Sequence, residues 1–371
     1  MRRPRRPSLG HWVAASAAAA LAVALPFMGP WTSSDREAAG EPAAAAKPRA
    51  EPRRRARPHR TPAARRRRAA RAERAVRAER AARRRVAIGA FVPNGTRRPS
   101  LLRAYARITG RRPAILLYFR SWRSKHAFDA VTLRRLARAH AVPMVSWEPK
   151  RRPLREIASG RFDPYIRTSA RDARRFGRPI LVRFAHEMNG DWYSWGSHVN
   201  SPRTFVRAWR RIVRIFRAEG AGNARFVWSP NADDGPRQQR LIRRLYPGDA
   251  WVDWVGLSGF SWGGPWDWEP ARDIFRDTYR TVARMTDRPL MIAETATGEL
   301  GGSKARWIAS TFGSDLPSMP RVRAVVWFNG RERWASWSVY SSRASLRAYR
   351  SAVASPRYSG TARDVEREGG P

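Results

Sequence analysis

From residue 86 onward, short apolar runs alternate with longer segments whose apolar residues recur every three or four positions. The short runs have the length of buried strands: 86–92 (VAIGAFV), 114–119 (AILLYF), 142–147 (VPMVSW), 180–185 (ILVRFA), 225–228 (RFVW), 252–257 (VDWVGL), 290–293 (LMIA) and 324–328 (AVVWF). The segments between them read as amphipathic helices. In the clearest, Ser201 is an N-cap and Pro202 the first helical residue, Phe205, Trp209, Ile212 and Phe216 share a face, and Gly220 stops the helix. Eight strand–helix units within 86–330 predict an α/β protein with a (β/α)8 TIM barrel, whose chemistry sits at the C-terminal ends of the strands. A doubly wound open sheet has the same alternation, but no G-x-G-x-x-G follows the first run.

The flanks have a different character. Arg2, Arg3, Arg5 and Arg6 precede an apolar stretch over 12–28, an export signal intermediate in length between a cleaved signal and a membrane anchor. Residues 1–32 are therefore expected to be a signal peptide or signal anchor, placing the following chain outside the cell or on the outer face of the cytoplasmic membrane. Residues 33–85 are rich in Ala, Arg, Pro and Glu and hold almost no large apolar side chain, so they predict a disordered basic linker. The barrel domain is expected over 86–358 and a disordered tail over 359–371.

The chain has 371 residues, 74 Lys plus Arg against 30 Asp plus Glu, and no cysteine. Thiolate metal sites, thiol nucleophiles and disulfides are excluded. The net charge of +44 is spread out, with +17 on residues 1–85 and +27 on the remainder. Only four of the basic residues are lysine, so a compositional bias toward arginine competes with a functional explanation. The functional reading is a basic linker lying on an anionic cell-wall or membrane surface; the bland one is a solubilising spacer. Nucleic-acid binding rests on charge alone, and the export signal argues against it.

The residues following the strand runs carry the chemistry. The fourth run leads into His186-Glu187-Met188-Asn189-Gly190-Asp191-Trp192, the seventh into Glu294-Thr295, the sixth toward Phe260 and Trp262, the third into Trp147-Glu148, and the eighth ends at Trp327 and Phe328. Two carboxylates at the mouths of strands four and seven, among tryptophans, suit glycoside cleavage. One protonates the leaving oxygen while the other attacks the anomeric carbon, and flat aromatic faces hold sugar rings. His186-Glu187 is not half of a zinc H-E-x-x-H motif, because position 190 is Gly190.

Residues 143–358 resemble glycoside hydrolase family 26, the family of β-mannanases and related β-glycanases. The resemblance rests on RFAHEMNGDWYSWG from Arg183, VWSPN from Val227, YPGDAWVDWVGLSGF from Tyr246, IAETATGELGGSKARWI from Ile292 and RAVVWFN from Arg323, in the family's order and spacing. It implies a retaining double displacement on a β-1,4-mannan or related β-glycan, with no metal or cofactor. Glu187 would be the acid/base and Glu294 the nucleophile, and His186, Trp192, Phe260, Trp262 and Trp327 would bind substrate. Arg183 and Asn189 would support the site, Arg183 by keeping a carboxylate ionised. Phe260 stands where the family usually has a tyrosine, so a hydroxyl on the nucleophile is missing and mannan specificity is in question. A β-1,3-1,4-glucanase and a catalytically weak glycan-binding or wall-associated protein are the alternatives. Glu148, Asp233, Asp234 and Glu299 read as loop charges or substrate contacts.

Overall fold

The computed structural model describes residues 85–368 apart from 264–267 and 332–335. The expected export segment, and the expected linker up to position 84, lie outside the described residues. In chain order the elements are β1 (Ala87–Phe91), α1 (Pro99–Thr109), β2 (Ile115–Ser121), α2 (Ala130–Arg138), β3 (Val142–Glu148), α3 (Leu154–Ser159), α4 (Asp163–Phe176), β4 (Ile180–Phe184), α5 (Pro202–Ala218), β5 (Ala224–Trp228), α6 (Pro236–Leu245), β6 (Trp254–Ser261), α7 (Ala271–Met285), β7 (Leu290–Thr297), α8 (Lys304–Ser310), β8 (Val322–Phe328), α9 (Arg343–Ala354) and α10 (Ala362–Glu368). The strands are parallel and close in sequence order into one barrel, β8 pairing back onto β1.

Each apolar run became a strand because both of its faces are buried. Ile115, Leu117, Met144, Leu181, Val227, Met291 and Val326 fill the lumen, while alternate residues pack against the helices. On α5 the predicted residues Phe205, Trp209, Ile212 and Phe216 are buried, and the Ser201 hydroxyl accepts the Thr204 N–H at 3.2 Å. Gly256 lies on the inner face of β6 beneath the site. A Cβ there would sit 2.9 Å from Ala293 Cβ and 3.0 Å from Val227 Cγ1, so only glycine lets β5, β6 and β7 approach so closely.

Strands β2, β3, β6 and β7 run past their apolar stretches to Ser121, Glu148, Ser261 and Thr297. Polar residues at the barrel mouth keep strand pairing but break the hydrophobic signal. The tail needs a correction: the chain expected to be disordered over 359–371 forms α10 as far as Glu368. Gly360 donates its N–H to the Val86 carbonyl at 3.2 Å, and Val365 joins the lumen cluster from the N-terminal end of the barrel. A lone valine in ARDVERE makes no periodic pattern, so only its tertiary contact exposes its role.

Candidate active site

Arg183 is the organising residue. It points into the lumen from β4, two residues after Leu181, and is fully buried. Its guanidinium forms an ion pair with Glu294 Oε1, and donates to Ser229 Oγ at 2.9 Å, to Ser146 Oγ at 2.9 Å and to the Ser258 hydroxyl. Three serines, within β3 and β6 and just past β5, thus share one cation with a carboxylate from β7. A buried arginine is tolerated only when its donors are satisfied in this way. Replacing it with methionine should destabilise the fold by about 3–5 kcal/mol, because Glu294 is left buried without its counter-charge. Urea unfolding monitored by tryptophan fluorescence checks this, and an unchanged midpoint would refute it.

Glu294 faces the lumen because β7 is bulged. Strict alternation from the inward Met291 would turn Ala293 in and Glu294 out. The register instead passes from Leu257↔Ile292 to Ser258↔Glu294, inserting one residue on β7. This irregularity re-aims the carboxyl toward Arg183.

Glu187 lies just past the end of β4, where Ala185 and Glu187 adopt φ of 44° and 54°. Such left-handed backbone is costly for non-glycine residues and persists because neighbours hold it. The Ala185 N–H donates to the Trp147 carbonyl at 3.1 Å and the Glu187 N–H to the Ser229 carbonyl at 2.7 Å. The Trp192 indole donates to Glu187 Oε2 at 2.9 Å, while Glu187 Oε1 is buried with no hydrogen-bond partner among the described residues.

The two carboxyls have unequal surroundings. Burial raises Glu187 to about 7, the Glu294 charge pushes the same way, and Arg183 and the Trp192 indole oppose them. Burial also raises Glu294, but Arg183 pulls it back by charge and by direct contact. Glu294 therefore ionises first, and its charge holds the proton on Glu187.

His186 is buried beside Glu187, with Nε2 3.2 Å from the Tyr193 hydroxyl and Nδ1 unpartnered among the described residues. Burial, assisted by the Arg183 charge, holds its pKa well below the ordinary value, so the ring is neutral. Trp195 packs the loop, stacked on Tyr193 at 4.2 Å with its indole donating to the His186 carbonyl at 2.8 Å. Asn189 exchanges two hydrogen bonds with the Asn231 backbone, at 3.0 and 2.8 Å, and so ties the β4 loop to the β5 loop.

The tryptophans expected to contact sugar divide. Trp192 is half-buried against Glu187, and Trp262 is half-buried beside Phe260. Trp327 does not face the site. It is buried on the outer side of β8 against Trp307 and Tyr349, its indole donating to the Trp337 carbonyl at 2.7 Å. Alternation explains this, since Ala324 and Val326 point into the lumen and Trp327 lies between inward positions. Phe260 is buried with its ring stacked on Trp337 at 4.8 Å, and Phe328 meets both.

Sequence reasoning missed Ser146, Ser229 and Ser258, which looked like ordinary small polar residues; their shared inward phase at strand ends was the available signal. It also missed Tyr193 and Trp337, and gave Glu148 no essential part. Glu148 is the last residue of β3 and is buried. Its Oε2 contacts Lys150 Nζ at 3.0 Å and its Oε1 has no partner among the described residues.

The model of Glycosyl hydrolase family 26 matches residues 165–302. Endoglucanase H of Acetivibrio thermocellus is 34% identical over 275 residues, covering 72% of this chain and 30% of that protein. A mannan endo-1,4-beta-mannosidase of Bifidobacterium adolescentis is 28% identical over 156 residues, covering 39% of this chain and 15% of that protein. The chain thus spans about a third or less of the length of these curated relatives. Among solved structures, a Cellulomonas fimi endo-beta-1,4-mannanase double mutant aligns with a TM-score of 0.60 and 20% identity, over 75% of this chain and 72% of that one, a likeness of fold.

Proposed function

This chain belongs to glycosyl hydrolase family 26, and we propose on that premise that it is a retaining endo-β-glycanase with Glu187 as acid/base and Glu294 as nucleophile. The observation that carries the reading is the unequal pair: one carboxyl bound to a buried guanidinium, the other raised to about 7 with a free oxygen. An ionised nucleophile beside a protonated acid is the ground state that the first displacement requires. Glu294 attacks the anomeric carbon while Glu187 protonates the departing glycosidic oxygen. Glu187, now a carboxylate, then takes a proton from the water that releases the sugar with its original configuration.

Of the substrates raised by sequence, a β-1,4-linked or mixed-linkage glucan takes precedence over mannan. Its support is the 275-residue similarity to an endoglucanase, against 156 residues for the mannosidase, together with Phe260, which removes the hydroxyl usual in the family's mannan-cleaving sites. Export, and attachment of the basic linker to an anionic wall or membrane surface, belong to the same proposal and rest on the N-terminal sequence alone. Across lichenan, glucomannan, mannan, xylan and an acidic glycan, reducing ends should appear fastest from lichenan. Faster release from mannan would restore the mannanase reading; retention of a glycan with no release over days would favour a binding protein.

A further inference from the structure

We propose that Glu148, with Lys150, reads a hydroxyl of the sugar ring whose anomeric carbon is attacked, and that this contact sets sugar preference. The inference rests on the glycosidase reading above and adds a residue to it. On β3, Met144 points into the lumen, and Ser146, two residues on, bonds Arg183. Glu148 continues that inward phase about 6.6 Å nearer the mouth, one step above the guanidinium that holds Glu294.

The carboxyl is in an unusual condition there. Its side chain is 3% exposed, Lys150 binds one oxygen, and the other has no partner among the described residues. A buried carboxylate oxygen left without a donor is costly, and native proteins keep such atoms where a ligand completes them. Glu187 Oε1 and His186 Nδ1, just past the end of β4, the strand that pairs with β3, are likewise buried and unpartnered among the described residues. The Glu294 charge reaches Glu148, and the Lys150 charge reaches His186. Glu148 therefore lies within electrostatic reach of the nucleophile, on another strand. A sugar O–H supplies the missing donor, and the Lys150 ammonium, with hydrogens to spare, can donate to an adjacent hydroxyl oxygen. An acceptor and a donor side by side match a vicinal diol, which distinguishes sugars differing in the configuration of one hydroxyl.

The test uses dinitrophenyl β-cellobiosides or β-mannobiosides, whichever the full-length protein hydrolyses, with single hydroxyls removed from the reducing-end ring. Glu148→Ala should lower kcat/KM on the parent roughly ten- to a hundredfold, as expected for a lost hydrogen bond to a charged group. One deoxy substrate should cost the wild type a similar factor and the variant almost nothing more, giving a non-additive cycle. Should Glu148→Ala fail to fold, Glu148→Gln, which keeps the shape, carries the same cycle. Additive losses for every deoxy position in an active wild type would overturn the Glu148 assignment and leave the glycosidase reading standing. A wild type inactive on all of these substrates and on polysaccharide would overturn both.

Discussion

Replacing Glu294 by alanine should lower turnover of both polysaccharide and activated aryl glycoside by roughly 10⁴-fold or more, the scale of losing a covalent nucleophile. The variant keeps Arg183 and its three serine partners, so the cavity beside the anomeric carbon stays cationic. A small anion should enter it. Added azide should restore aryl glycoside cleavage through one displacement and yield a glycosyl azide of inverted configuration, identified by NMR. Retained configuration, or near-normal activity without azide, would move the nucleophile elsewhere.

Glu187→Ala should separate substrates by leaving group. Polysaccharide departs as an alkoxide and needs the proton, so its cleavage should fall about 10²- to 10⁴-fold. A dinitrophenolate leaves unaided, so formation of the glycosyl-enzyme should be far less impaired, and azide should intercept that intermediate with retention. The pH profile supplies a second check. Glu187 must be protonated to act, and its pKa is raised to about 7. In the wild type, kcat/KM on polysaccharide should therefore fall tenfold per unit as pH rises beyond that point. On the dinitrophenyl substrate this limb should flatten. Because the Trp192 indole favours the ionised form, Trp192→Phe should move the limb to higher pH. A limb common to both substrates, and unmoved in that variant, would assign the proton to another group.

Much of this was legible along the chain because burial imposes periodicity. Strands buried on both faces must be apolar runs, helices covering them must repeat every three to four residues, and eight such units leave few folds other than the barrel. Glu187 and Glu294 stood out because carboxylates directly after buried strands are too costly to lack a purpose. Direction was harder to read. Glu294 faces the lumen through one inserted residue on β7, whereas Trp327, in an equally suggestive place, faces the helices because β8 alternates regularly from Ala324 to Phe328. The serines around Arg183 had only their inward phase as a linear signal, and the free oxygen of Glu148 had none, because the role of each is defined by residues from other strands. Composition and period are set by whether a position meets water, a property every residue carries in its own side chain. The chemistry of the site depends instead on bulge, register and shared partners, which exist only once distant segments pack together.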